Sequence, residues 1–279
     1  MSGTKLPTAY CSVKPDRFTR HSLLLLATIL LAALSLSAPA QIPDSYVIAK
    51  QQSLRILARE DSLRVVEYIT TLGSPRDVMG VFVVLSRDLY WENRNIPAAM
   101  AIGRAGIQYG ITEAARQEDQ DVAYQLRSEA KDLAYDLSSF CWPGWSEPGI
   151  VIDDSELVLA QDLAKVNLRL ALALNKGDLP LSRAYWLIGA HHLAVEQHEA
   201  ARRAFVEGTK FAIAAGAREQ ELLLRGYVYL SDMLKDPDNA ELGKEFDFIL
   251  KELDTSREGS FYREQLETAH SVFIGKPGN

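Results

Sequence analysis

Tyr185-Trp-Leu-Ile-Gly189, followed twelve residues after its glycine by Ala201-Arg-Arg-Ala-Phe205-Val-Glu-Gly208, is the stretch that decides the fold. Apolar residues within it and around it recur at intervals of three and four, the period that gathers them on one face of a helix. Start and stop signals close one helix near 195 and open the next near 199, so two helices run back to back. A large side chain at their crossing would hold the backbones apart. Gly189 and Ala201 are small enough to permit contact.

The same period extends outward from Asp44 to the end of the chain, and sustained strand alternation is absent. Helix starts are marked as well. Ser74-Pro75-Arg76-Asp77 reads as an N-cap followed by proline at the first helical position, Asn95-Ile96-Pro97 repeats the device, and Asp153-Asp154-Ser155-Glu156 opens a helix that closes at Asn175-Lys176-Gly177. These signals predict about ten helices, near 45–72, 76–93, 97–116, 119–138, 154–175, 181–195, 199–215, 219–234, 240–253 and 258–274. Their short connections require antiparallel neighbours. Ser139–Ile152, with two Pro and two Gly, continues neither neighbouring helix. It is the expected boundary between a helical region over 41–138 and another over 153–279.

Gly189, Ala201 and Phe205, with Tyr185 before them, resemble a tetratricopeptide (TPR) repeat, which packs two antiparallel helices in 34 residues and keeps small residues at its eighth and twentieth positions. A looser second unit begins at Glu219, with Gly226 at position 8 and Asp238 where a small residue belongs. The resemblance covers 181–253 and implies an all-α, right-handed array of antiparallel helical hairpins, a TPR-like solenoid. It also implies a concave face formed by the first helix of each pair, which is where such arrays take up peptides. Its positions fall on Arg183, Trp186, Ala190 and Leu193 in one unit and on Gln220, Leu223, Tyr227 and Leu230 in the other. Trp186, Leu223 and Tyr227 would give broad contacts to a partner and Arg183 would clamp a carboxylate. The same residues also suit packing between successive repeats. Further upstream, Gly103, Gly106 and Gly110 form a stripe expected to mark another close helix contact.

Ahead of the helices, Lys5, Lys14, Arg17 and Arg20 precede the apolar run Leu23–Leu36, and Ala38-Pro39-Ala40 follows it. This is the layout of a secretory signal cut before Gln41. Fourteen residues span about 21 Å as a helix, short of the roughly 30 Å of a hydrocarbon core, although extending the run through residues 23–40 leaves an uncleaved membrane anchor as the alternative. Export to a periplasm or to the outside follows. The chain carries 30 basic and 37 acidic residues; losing residues 1–40 removes four of the first and one of the second, leaving a net charge of −10. So acidic a body excludes nucleic acid as the expected partner, and contact with a membrane is expected only through the N-terminal segment. Cys11 would be lost with the signal, which leaves Cys141 buried, free or bridged to another chain.

Phe140, Trp142 and Trp145 stand in the Pro/Gly loop, either pinned into a groove or displayed to a partner; pinning is the preferred reading because exposed indoles are costly in water. His191, His192, Glu196 and His198 are metal-like in kind, but the turn at Glu196 breaks their helical geometry and no remote ligand completes a set, so no metal site is expected. No hydrolase elbow, zinc-protease helix, phosphate loop or haem-attachment motif is present in the sequence. We therefore expect no catalytic residue and no cofactor. The function expected is that of an exported TPR-like scaffold binding a protein or peptide, with a periplasmic small-molecule or metal-binding helical protein as the alternative.

Overall fold

Eleven α-helices follow one another in the computed structural model, which describes residues 43–256 and 258–275. They are α1 (Asp44–Arg59), α2 (Ser62–Ile69), α3 (Pro75–Trp91), α4 (Ile96–Arg116), α5 (Gln120–Phe140), α6 (Asp154–Ala173), α7 (Asp178–Ala194), α8 (His198–Ala214), α9 (Arg218–Lys235), α10 (Ala240–Leu253) and α11 (Gly259–Phe273), with a single 3-10 turn at Pro143–Trp145 between α5 and α6. No strand occurs among the described residues. Residues 1–40, with the expected signal segment and Cys11, lie outside them.

Local chemistry accounts for the helix ends. Ser74 and Asp77 cap α3 reciprocally, as Asp153 and Glu156 cap α6, and Asn95 accepts from the Ala98 N–H at the start of α4. Gly177 and Gly216 take left-handed φ values of 79° and 64° in the turns after α6 and α8, where a side chain would be strained. One expectation is corrected here. The single helix read over 45–72 is two helices, α1 and α2, divided at Glu60-Asp61. Asp61 leaves helical geometry, with φ −148° and ψ 177°, and its carboxylate accepts from the Arg64 N–H at 2.9 Å. Aspartate competes for backbone donors better at a helix start than inside one, and here it makes a start.

Every helix packs on the next along the chain. Each odd-numbered helix from α1 to α9 also touches the next odd one, whereas of the even-numbered helices only α2 and α4, and α4 and α6, touch. From α6 onward the odd helices therefore form the closer, inner layer and the even ones the spread outer layer. Two apolar clusters result. One joins α1 to α6 and includes Phe140 and Cys141; the other joins Ala164 of α6 to α7–α11 and includes Trp142.

The glycine stripe of α4 is where α3 and α5 side chains press closest. A Cβ on Gly106 would lie 2.8 Å from Phe82 Cγ and 3.0 Å from Leu133 Cδ2; one on Gly103 would lie 2.5 Å from Leu137 Cδ1, and one on Gly110 2.9 Å from the Met79 sulfur. Across the same layer Arg87 Nε donates to Asp136 Oδ2 at 2.8 Å. Burial pushes the Asp136 carboxyl up, against the opposing pull of Arg87. The Gly106→Ala replacement is expected to destabilise the protein by about 1–3 kcal/mol through overpacking. Gly243→Ala, on α10 with nothing within 4 Å of the added carbon, is expected to stabilise it by roughly 0.5–1 kcal/mol. Urea unfolding midpoints of the two variants, moving in opposite directions, check both.

Candidate functional site: an aromatic loop on the inner helices

The loop after α5 cannot extend that helix because Pro143 lacks a donor, so it turns back over the inner layer. Trp142 becomes the centre of the C-terminal cluster, 1% exposed. Its ring meets Trp145 at 5.1 Å, Trp186 of α7 at 5.4 Å and Tyr227 of α9 at 5.8 Å, all near edge-on, and Phe273 of α11 at 6.2 Å. Edge-on contact sets the positive rim of one ring against the negative face of another. The Trp142 Nε1–H donates to the Ala190 carbonyl at 3.0 Å, and the half-buried Trp145 donates to Ser139 O at 2.8 Å. Gly144 is obligatory between them: a Cβ there would lie 2.2 Å from Trp142 Cζ2.

Two further ties fasten the loop. Arg94, at the turn between α3 and α4, donates to Glu147 at 2.7 Å, and the Phe140 ring stacks on Tyr90 of α3 with centroids 4.0 Å apart. Cys141 is free and buried, and burial pushes its thiol up to about 12, which keeps it an unreactive apolar neighbour.

The concave-face reading of Trp186, Leu223 and Tyr227 is corrected by their burial. Trp186 is 3% exposed, Leu223 2% and Tyr227 fully covered. All three lie on inner helices; the loop indoles pack on Trp186 and Tyr227, Gln265 of α11 reaches Tyr227, and Leu223 is buried in the same cluster. Tyr227 also stacks on Phe205 at 4.9 Å and its hydroxyl accepts from Gln265 Nε2 of α11 at 3.1 Å; burial drives its phenol far above the ordinary range. The Trp186 ring lies beside Tyr227, centroids 6.2 Å apart. Arg183 is half-buried on the same layer, where its charge acts on the phenols of Tyr135 and Tyr262.

Gly189 lies under the Phe205 ring, which a Cβ would meet at 2.5 Å, and Ala201 is fully buried in the same hairpin of α7 and α8. Gly226 also marks a close approach, but to Leu266 of α11, at 2.5 Å from where its Cβ would stand, rather than to the second helix of its own hairpin. The histidines part company at the turn. α7 ends at Ala194, Glu196 takes a left-handed φ of 59°, and His192 Nδ1 pairs with Gln197. Among the described residues no three His, Cys, Asp or Glu side chains gather to hold a metal ion. Sequence reasoning missed what His191 does: it is buried against Ser138, 53 residues earlier, at 2.8 Å. The one local hint is a histidine set directly after the small pair Gly189-Ala190.

Compared with known proteins, the chain matches no family model and no curated protein.

Replacing Trp142 with alanine is expected to cost about 3–5 kcal/mol of stability, in the range for a large buried ring. Val151→Ala, in the same loop but 83% exposed, is expected to change stability by no more than about 0.5 kcal/mol. Denaturant unfolding separates a pinned loop from a displayed one.

Proposed function

We propose that this chain is an exported, non-catalytic scaffold of TPR-like hairpins, a right-handed solenoid, that holds a protein or peptide partner on the inner face of its odd-numbered helices. One observation carries the reading. The inner layer already receives an irregular segment of the chain itself, seated by two indoles and a main-chain acceptor. That is how helical arrays take up extended peptides, with aromatic anchors in side-chain recesses.

The C-terminal half of the layer is filled, so the partner's place is the half formed by α1, α3 and α5. A polar track crosses it. Lys50 pairs with Asp88, Arg87 with Asp136, and Lys131 with Asp132 at 2.9 Å. Of these groups the exposed Asp132 and the part-exposed Arg87 are within a partner's reach, while the buried Asp136, Lys131 and Asp88 hold the track in place. Export rests on residues 1–40. Among the described residues no helix is long and apolar enough to cross a membrane.

The test is photocrosslinking in the source cells from two positions. A reactive group at Asp132, on the track, is expected to capture a defined protein; one at Arg203, exposed on outer helix α8, is not. Asp132→Arg is expected to weaken binding of the captured partner by about tenfold or more, equal to ~1.4 kcal/mol, with helicity unchanged. Equal capture from both positions, or none from either, would remove the inner face from consideration.

A further inference from the structure

Arg183 stands on α7 one turn ahead of Trp186, and Tyr262 stands on α11 one turn ahead of Gln265, so each pair shares a helix face. The two faces meet at Tyr227, which lies beside the Trp186 ring and accepts from Gln265 at 3.1 Å. One turn away, the Arg183 side chain donates to the Tyr262 hydroxyl and its charge reaches Tyr135 of α5. Trp145 of the loop lies on the same cluster, its ring 5.7 Å from Trp186. Trp186 and Tyr227 are buried, but Arg183, Tyr135, Tyr262 and Trp145 are only half-buried. Three inner helices and the loop thus bring a guanidinium, two phenols and an indole to one partly open place, at the seam between the filled and the open half of the inner layer.

We propose that this seam is a binding site for a small aromatic carboxylate: Arg183 and the Tyr262 hydroxyl take the oxygens, and the rings of Tyr135, Tyr262 and Trp145 take the flat apolar body. The site is distinct from the peptide face that the repeat resemblance implies, because Trp145 and Tyr262 belong to the loop and to α11, outside the two repeat units. It does not depend on the scaffold reading.

The charges decide the sign of the ligand. Aromatic walls by themselves suit a cation. Here Arg183 stands among them, and Lys131 Nζ lies 5.8 Å from the Tyr135 centroid, so a cation is repelled and an oxyanion is favoured. Two of the neighbouring acids are already engaged, Asp132 by Lys131 and Asp136 by Arg87. Glu219 and the exposed Glu258, which also act on Tyr262, set the charge that an incoming anion must outweigh. The phenols supply donors as well. Tyr262 accepts from Arg183 and still has its own proton to give. Burial pushes Tyr135 up to about 12 and raises Tyr262 too, so both keep that proton near neutral pH.

Titration of the full chain with sodium benzoate at constant ionic strength, followed by indole emission, tests the site. Saturable binding is expected, half complete below about 1 mM. Benzamide, which has the ring without the charge, and acetate, which has the charge without the ring, are each expected to bind at least about tenfold more weakly. Arg183→Gln is expected to weaken benzoate at least about tenfold and to leave benzamide unchanged; should that variant not fold, the three-ligand comparison on the unaltered chain decides. N-acetylphenylalanine carries the same chemistry at a chain end: tighter binding than benzoate assigns the site to a chain end, and weaker binding assigns it to a free acid. No saturable response to benzoate, benzamide or acetate binding as tightly as benzoate, or full benzoate affinity in a folded Arg183→Gln variant overturns the proposal. None of these measurements involves the face formed by α1, α3 and α5, so failure here leaves the scaffold reading untouched.

Discussion

Trp142 and Trp145 stand in a segment that no helix can continue, and an indole left in water forfeits roughly 1.5–3 kcal/mol of burial. That constraint orders the C-terminal half. Trp142 needs an acceptor for its N–H, which Ala190 supplies, and walls for its ring, which α7, α9 and α11 supply together. Gly144 has no side chain because Trp142 occupies the space, and Trp186 and Tyr227 are covered because the loop covers them. What would be an open concave surface in a bare hairpin array becomes a core.

Polar ties give this core its register. Arg87 with Asp136, Arg94 with Glu147, and His191 with Ser138 each join segments far apart in the chain. Buried or half-buried polar pairs of this kind add little net stability, because desolvation offsets much of their attraction. They penalise any arrangement that leaves one partner alone. Gly103, Gly106 and Gly110 do complementary work, since each admits a side chain from α3 or α5 that no other residue would admit.

Much of the helix pattern was legible because its signals are local. Ser74, Asn95 and Asp153 announce helix starts in one or two turns of sequence, and Gly189 with Phe205 announces a hairpin contact. The division at Asp61 is also local, but the apolar period runs through it and hides the helix start. The candidate site was less legible for a different reason. Assigning Trp186, Leu223 and Tyr227 to a face was a matter of register, whereas knowing that the face is filled required placing the loop after α5 against helices that come later in the chain. Gly226 shows the same limit: the need for a close neighbour was visible, but not that the neighbour is Leu266.

The position of Trp142 in chain order has one more consequence. Its binding walls are made from residues that leave the ribosome after it, ending with Phe273 in the last helix. Until that helix arrives, the two indoles and the rings meant to surround them have incomplete cover, the condition in which growing chains recruit chaperones or stick to one another. A premature stop anywhere in α11 would therefore harm the molecule at its middle, far from the missing residues.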